Sequence, residues 1–261
     1  MRHRKIEQER RFCKRENDQV DLSIVIPAFG ESKKIGRDVE AASAFLAANH
    51  FTGEIIVVDD GSKDGTSDAA KKAGVNLPTD VSVKVIRYEP HRGKGYAVRA
   101  GMKETSGEYV MFADSGCCVP YGNVLLGLEM LKNASCDIAH GSRKLLESDI
   151  QQDQRWHRRI CARLFKWLIN KIVTMPPGIT DSQCGFKVYR GDIARKLYGQ
   201  CISDGFMFDV EIILRAHKEG CRIEEFPIEW VCDLDSRLSL TRTPWPVLSE
   251  LIRIKQALAE K

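Results

Sequence analysis

Short apolar runs alternate with longer amphipathic segments from about residue 21 onward. The runs are bounded by turn residues, which favours strands, and the segments between them repeat their apolar positions at helical spacing. The predicted strands are 22–26, 54–58, 83–87, 109–113 and 137–140, and the predicted helices are 32–48, 67–74, 94–105 and 122–132. Strands that alternate with helices are typical of an α/β domain whose mainly parallel mixed sheet is flanked by helices.

The same pattern divides the chain into three parts. Residues 1–20 are polar and rich in Arg and Lys, so we expect a basic N-terminal tail. Residues 21–240 contain the alternating elements and are expected to form one domain. Residues 241–261 carry apolar side chains at a helical period, which predicts a C-terminal amphipathic helix.

Composition excludes several classes of protein. No stretch approaches the roughly 18 apolar residues of a membrane span. The nine cysteines show no C-x-x-C spacing, so neither a disulfide scaffold nor a zinc site is indicated. The net charge of +4 is mild and lies in patches, which argues against a nucleic-acid binder and for local attraction to phosphates or anionic lipid. We expect a cytoplasmic chain that is either soluble or adsorbed to a membrane surface.

Acidic residues follow three of the predicted strands. Glu31 comes shortly after the first strand, Asp59 directly after the second, and Asp114 directly after the fourth. In an open parallel sheet, ligands bind in the crevice beyond the carboxyl ends of the strands. We therefore expect these acids to hold a ligand, although a turn with a helix cap is the simpler structural interpretation of the residues after Asp59.

Six motifs together resemble those of family 2 glycosyltransferases with the GT-A fold. They occur in the family's order and are Pro27 to Glu31, Asp59 to Ser62, His91 to Gly95, Asp114, Gly141 to Arg143, and Asp181 to Lys187. Within the family, the chain most resembles the polyprenyl-phosphate (dolichyl-phosphate) glucosyltransferases and mannosyltransferases. The resemblance implies a single GT-A (Rossmann-like) domain that transfers a hexose from a nucleotide sugar.

For the donor, the resemblance implies that Pro27, Glu31 and Asp59 hold the base and ribose. Lys94, in a loop flanked by glycines, is expected to approach the phosphates, and Asp114 is expected to bind both the nucleotide and a metal ion, Mg²⁺ or Mn²⁺. The carboxylate of Asp59 can accept hydrogen bonds from uracil or from guanine, so it does not choose the base. We prefer UDP-hexose, while GDP-hexose stays open.

The chain departs from the family at the metal site. The family usually has an Asp-x-Asp motif here, but the third position is Gly116, followed by Cys117. A hard cation prefers oxygen ligands, so the second ligand must come from elsewhere in the protein or be water. The substitution Gly116→Asp is expected to distinguish a decayed metal site from a working alternative.

Arginines are expected to bind the phosphate of the acceptor, because guanidinium groups suit phosphate geometry. Arg143 and either Arg158 or Arg159 match positions that hold acceptor phosphate in the family, and Arg237 stands where a lysine folds over the diphosphate. The segment 154–173 interleaves such cations with aromatic and aliphatic residues. It is either a solvated basic face on a core-packed helix or a helix that lies on a membrane.

Two acids are candidates for catalysis. Asp181 would be a general base if the acceptor is a hydroxyl, and would position the donor sugar or the metal if the acceptor is a phosphate. Its structural alternative is a helix cap or a buried ion-pair partner. Asp209 also matches a family position that faces the site, or else caps or pairs within the core.

The sequence therefore predicts an inverting, metal-assisted glycosyltransferase that moves a hexose, preferably glucose, to a polyprenyl phosphate, with inversion implied by the family resemblance. We expect peripheral association with the cytosolic face of a membrane. Two alternatives stay open: transfer to a sugar hydroxyl of a growing glycan, and a nucleotide-sugar-binding adaptor without turnover.

Overall fold

The computed structural model describes residues 20–151, 169, 171–231 and 244–259. The strands are β1 (Leu22–Ala28), β2 (Gly53–Asp59), β3 (Val81–Arg87), β4 (Tyr109–Ala113), β5 (Ile138–Ser142), β6 (Asp149–Ile150), β7 (Phe186–Arg190), β8 (Ile223–Pro227) and β9 (Glu229–Trp230). The helices are α1 (Ile35–Ala48), α2 (Thr66–Ala73), α3 (Lys94–Lys103), α4 (Val124–Lys132), α5 (Gly191–Gln200), α6 (Phe208–Lys218) and α7 (Pro244–Ala259), with a 3₁₀ turn at Tyr121–Asn123.

Seven strands form one mixed sheet in the order β3-β2-β1-β4-β7-β5-β8. All neighbouring pairs are parallel except those of β7, which runs antiparallel to both β4 and β5. Strands β6 and β9 form a separate two-stranded parallel pair. The predicted α/β class with a mainly parallel sheet is confirmed.

Helices cover both faces of the sheet. Alternate residues of β1 point to opposite faces, so Ile24 belongs to the apolar cluster that contains residues of α1, α2 and α4, while Val25 belongs to the cluster that contains residues of α3, α5 and α6. Because both faces are covered, the central strands are buried along their length. The polar residues predicted to form a site therefore lie mainly at the strand ends.

The C-terminal helix α7 packs on α6. Leu251 and Ile254 join Met207 and Val210 in a third apolar cluster. This is the amphipathic helix expected over 241–261, and the division of the chain at residues 20 and 240 stays a prediction.

Each predicted strand and helix coincides with an observed element to within a few residues. The hydrophobic pattern did not predict β7, β8, α5 or α6 as elements. Arg158, Arg159 and Arg237, the tail 1–19 and most of 154–173 lie outside the described residues. Among the helices that the structure describes, none has the length and apolarity to cross a membrane.

Candidate active site

The carboxyl ends of the parallel strands bring the predicted site residues to one edge of the sheet. Asp59 ends β2 beside Ala28 of β1, and Asp114 directly follows β4. Arg143 directly follows β5 at the same edge. Because β7 runs antiparallel, the segment that precedes it, with Asp181, also reaches this edge.

Pro27 and Glu31 lie at the end of β1 and just beyond it. Pro27 is buried within the strand, while Glu31 lies in the turn before α1. The amide of Glu31 donates to Oγ1 of Thr66, and its carbonyl accepts from Lys34 and Ile35. The turn is thereby tied to the start of α2 and of α1.

Asp59 is buried and holds its own turn. Its carboxylate accepts hydrogen bonds from the amide of Ser62, at 2.9 Å, and from the hydroxyl of Ser67, and Nε of Arg87 lies 4.0 Å away. The turn that was given as the simpler interpretation of the residues after Asp59 is thus present, but α2 begins after Gly65 and has no side-chain cap hydrogen bond. Both oxygens of this carboxylate are engaged within the protein.

Asp60, which the sequence analysis did not select, organises the loop that leads into α3. Its carboxylate accepts from the amides of Arg92 at 2.7 Å and Gly93 at 2.8 Å, and lies 2.8 Å from Nδ1 of His91. The ring of His91 stacks on that of Phe29, with centroids 4.1 Å apart. Phe29 is 39% exposed, so this stack offers an aromatic surface beside the strand ends.

Lys94, the first residue of α3, meets Asp114. Its ammonium lies 2.6 Å from Oδ1 of that carboxylate and within 6 Å of the centroids of the Phe112 and Phe208 rings. Burial opposes the positive charge, but the carboxylates of Asp114 and Asp209 outweigh it and raise the pKa of Lys94. The site therefore contains a fixed cation at neutral pH.

Asp114 fits a divalent cation that receives most of its ligands from substrate phosphates and water. The Asp114 side chain is 38% exposed, and a Cβ on Gly185 would come within 2.5 Å of all three of its carboxyl atoms, so a glycine is required there. Within the described part of the chain, no three His, Cys, Asp or Glu side chains converge on a metal position. Mg²⁺ is commonly bound by one or two carboxylates together with substrate phosphates and waters, which one carboxylate at this position suits.

The loop after Asp114 is shaped by Asp38 of α1, another residue that the sequence analysis missed. The buried Asp38 carboxylate accepts from the amides of Gly116, at 2.9 Å, and Cys117, at 2.8 Å. Gly116 has φ 100° and Cys117 φ 50°. A side chain at Gly116 would be strained, so Gly116→Asp tests backbone strain together with metal binding.

Arg143 and Asp181 form a tight ion pair. Nε and Nη2 of Arg143 donate to the two carboxylate oxygens at 2.7 and 2.8 Å, and the Arg143 amide adds a bond at 3.1 Å. Burial favours the neutral acid, yet the hydrogen bonds and charge of Arg143 lower the pKa of Asp181 to about 2. Glu225 supports the pair by accepting from the amides of Thr180 and Asp181, both at 2.8 Å.

Asp209 lies beneath the site and is 4% exposed. Its carboxylate pairs with the ammonium of Lys187, which also donates to the carbonyl of Cys184 at 2.7 Å. Burial raises the pKa of Asp209 against the effect of Lys187 and Lys94. The buried pair with Lys187 is the structural alternative given for Asp209, and it connects α6 to β7. The catalytic role of Asp209 stays a prediction.

Comparison with known proteins adds to this geometry. The model of the family described as Glycosyl transferase family 2 matches residues 23–198, more than half of the chain. The chain belongs to this family. The glycosyltransferase activity predicted from the sequence is therefore confirmed at the level of the family.

Two relatives of this family 2 glycosyltransferase are dolichyl-phosphate beta-glucosyltransferases. That of Drosophila melanogaster is 31% identical over 229 residues, 82% of this chain and 68% of the relative. That of Homo sapiens is 32% identical over 220 residues, 80% of this chain and 67% of the relative. The resemblance that the sequence analysis drew is confirmed by these matches.

Solved structures share the fold. Mannosyl-3-phosphoglycerate synthase from Rubrobacter xylanophilus matches with a TM-score of 0.65 at 18% identity, covering 93% of this chain and 76% of its own. Glucosyl-3-phosphoglycerate synthase from Mycobacterium tuberculosis, in complex with Mn²⁺, UDP and its product, matches with 0.61 at 18% identity, covering 92% and 79%. At these identities the matches establish the GT-A fold of this glycosyltransferase.

Proposed function

We propose that this glycosyltransferase moves glucose from UDP-glucose to a polyprenyl phosphate, with inversion and with metal assistance, at the cytosolic face of a membrane. The relatives named for dolichyl phosphate and glucose support the acceptor and the sugar. The M. tuberculosis neighbour, solved with UDP-glucose and Mn²⁺, supports the nucleotide and the metal. A mannosyltransferase neighbour solved with GDP-Man and Mn²⁺, TM-score 0.57 and 15% identical, keeps GDP-hexose as the competing donor.

The observation that carries the proposal is the pairing of Lys94 with Asp114 at the carboxyl edge. Displacement of a nucleoside diphosphate develops negative charge on the leaving phosphate, which a fixed cation beside it stabilises. The ammonium of Lys94 is such a cation, and its raised pKa keeps it charged. Asp114 would hold the Mg²⁺ or Mn²⁺, which supplies further positive charge to the diphosphate when it is bound.

The aromatic stack of Phe29 and His91 is where we place the nucleoside. It lies beside the loop that Asp60 fixes, at the ends of the same two strands. Planar bases bind aromatic faces, and the ring of Phe29 is partly exposed. Asp59 then contributes to nucleoside binding through the turn that it shapes. Pro27 and Glu31 border the same turn and contribute with it.

The acceptor phosphate needs to be oriented more than it needs a general base. A phosphate monoester has a second pKa of about 6 and is largely ionised near neutral pH. Asp181 engages Nε and Nη2 of Arg143, so Nη1 is the nitrogen that we assign to the acceptor phosphate. Arg158, Arg159 and Arg237 stay predicted contributors to phosphate binding.

Transfer to a sugar hydroxyl is the second candidate, and the geometry disfavours it. A hydroxyl acceptor needs a general base whose pKa lies near the working pH. Asp181, with a pKa of about 2 and both oxygens bound to Arg143, is a poor base. We therefore assign Asp181 to the positioning of Arg143, and not to proton abstraction.

Calorimetric titration of the purified protein tests the donor. UDP-glucose and GDP-mannose are each titrated with Mn²⁺ and with EDTA, followed by an assay with polyprenyl phosphate and determination of the anomeric configuration by NMR. Tight metal-dependent binding of UDP-glucose and a β-linked product support the proposal. Binding of a donor without transfer would favour the nucleotide-sugar-binding adaptor without turnover, and failure of a folded protein to bind either donor would contradict the donor assignment.

A further inference from the structure

The C-terminal helix α7 contributes a carboxylate to the framework of the active site. Glu250 of this helix accepts hydrogen bonds from the hydroxyl of Ser203, from the amide of Gly205 at 2.8 Å and from the amide of Met207 at 3.4 Å. A Cβ on Gly205 would lie 2.7 Å from Oε2 of Glu250, so the loop and the carboxylate are in close contact. Loop 203–207 is thus attached to α7 by the hydrogen bonds of Glu250, in addition to the apolar cluster that Met207 shares with Leu251 and Ile254.

The other side of this loop holds the start of α3. The amide of Gly95 donates to the carbonyl of Gly205 at 3.0 Å, and the amide of Tyr96 donates to the carbonyl of Asp204 at 3.1 Å. The first amides of a helix have no partner within it, so these carbonyls fix the helix start from outside. Lys94 is the first residue of this helix.

Close packing makes this contact sensitive to small displacements. A Cβ on Gly93 would lie 2.4 Å from the carbonyl oxygen of Asp204, and a Cβ on Gly95 would lie 2.5 Å from that of Ser203. The backbones of the two loops therefore touch directly. A movement of loop 203–207 moves the backbone that carries Lys94.

We propose that Glu250 is a positioning residue, which acts through loop 203–207 to hold Lys94 against Asp114. The expected consequence for turnover rests on the proposed function, whereas the structural coupling does not. Glu250 lies beyond the residues that the family model matches, and it touches neither Lys94 nor Asp114 in the contacts described. Its effect is indirect. The carboxylate accepts from amides of loop 203–207, and carbonyls of that loop accept from the first amides of α3.

The first test is kinetic and uses the full chain. Glu250→Ala is expected to lower kcat about tenfold to thirtyfold while changing KM for UDP-glucose less than threefold, because Lys94 acts on the leaving phosphate in the transition state. Glu250→Gln keeps an acceptor oxygen and is expected to lose less. Lys255→Ala, at an exposed position of the same helix, is the matched control and is expected to leave kcat unchanged.

A double variant separates positioning from general destabilisation. If Glu250 acts through Lys94, then Lys94→Ala with Glu250→Ala is expected to be no more than threefold slower than Lys94→Ala alone. Effects that multiply, or a kcat for Glu250→Ala within twofold of the wild type, would overturn the inference.

Hydrogen exchange gives a readout that needs no substrate. In Glu250→Ala, the amides of Gly95 and Tyr96 are expected to exchange at least tenfold faster, while those of α5 keep the wild-type rate. Unchanged exchange at Gly95 and Tyr96 would overturn the coupling. If the wild type shows no transfer, the proposed function fails, and exchange alone still decides whether Glu250 fixes the start of α3.

Discussion

Lys94 meets Asp114 through a single oxygen, whereas Arg143 engages both oxygens of Asp181. The side chains of the first pair are 22% and 38% exposed, and Asp181 in the second pair is 2% exposed. A pair with one contact and an open carboxylate can accept a diphosphate or a cation as an additional partner. A bidentate pair with a sealed carboxylate instead fixes the direction of its guanidinium. In the proposed function, the pair of Lys94 and Asp114 on the donor side can therefore take a further partner, whereas the pair of Arg143 and Asp181 on the acceptor side stays in place.

The largest expected effect lies on the donor side. Lys94→Ala removes the cation beside the leaving phosphate and is expected to lower kcat by about 10²- to 10³-fold, as the loss of a comparable transition-state contact does. Steady-state kinetics with UDP-glucose and polyprenyl phosphate measures this. Lys84→Ala removes an exposed lysine that pairs with Glu104 and is the control. Equal kcat in the Lys94 variant and the control would show that the pair plays no part in transfer.

On the acceptor side, the expected effect is on stability. Asp181→Ala leaves Arg143 without its partner, and we expect the free energy of unfolding to fall by about 3 kcal/mol, because removal of one member of a buried pair strands the other charge. Urea denaturation measures it. Asp192→Ala, from an exposed pair with Arg190, is expected to change it by less than about 0.5 kcal/mol. A loss of less than about 1 kcal/mol in Asp181→Ala would mean that the pair is not a fixed part of the fold.

Acid is expected to lower the free energy of unfolding by protonating Asp181 of the same pair. The pKa of Asp181 in the folded protein, about 2, lies below its ordinary value of 3.8, so the folded state favours the ionised form. Its contribution, about 2 kcal/mol, is fully present above pH 4 and is lost as the pH falls through 2. The raised pKa of Asp38 acts in the opposite direction. Urea denaturation of the wild type and of Asp181→Asn from pH 5 to 2 isolates the contribution of Asp181 to the free energy of unfolding. If this free energy falls with pH in parallel in the two proteins, the predicted contribution of Asp181 is contradicted.

The smallest expected effect concerns the loop after Asp114. Gly116→Ala is expected to cost about 1 to 2 kcal/mol of unfolding free energy because Gly116 has φ 100°. Gly122→Ala is the control, since a Cβ there has no neighbour within 4 Å. Thermal unfolding of both variants checks this. We also expect no gain of turnover in Gly116→Asp, and a large metal-dependent gain would restore the hypothesis of a decayed metal site.

The sequence was sufficient for the parallel part of the fold and for most site positions. The strand predicted at 109–113 is β4 as observed, and Asp59 and Asp114 lie at strand ends as expected. Apolar runs followed by acids are local patterns that can be recognised in the sequence. The order of the motifs in addition indicated the family. The strand β7 was missed because its residues appeared only as the end of a motif, and the reversal of its direction is set by tertiary pairing.

The pairings within the site were not predictable in the same way. We assigned Arg143 and Asp181 separate roles, but they bind each other across a separation of 38 residues. Asp38, Asp60 and Glu250 were missed because each accepts from backbone amides, and any residue supplies those. A carboxylate that binds main chain therefore leaves no recognisable partner in the sequence.

The position of β7 has a consequence for how the chain folds. This strand lies between β4 and β5 in the sheet, although it follows both in the chain. Until residue 190 has left the ribosome, β4 and β5 have no strand to join them, so β1 to β4 and the rest of the sheet come together only late in synthesis. Pairing between distant segments slows folding, because the entropy of loop closure must be overcome first. The edges of β4 and β5 are therefore surfaces of this nascent chain that need protection against pairing with another molecule.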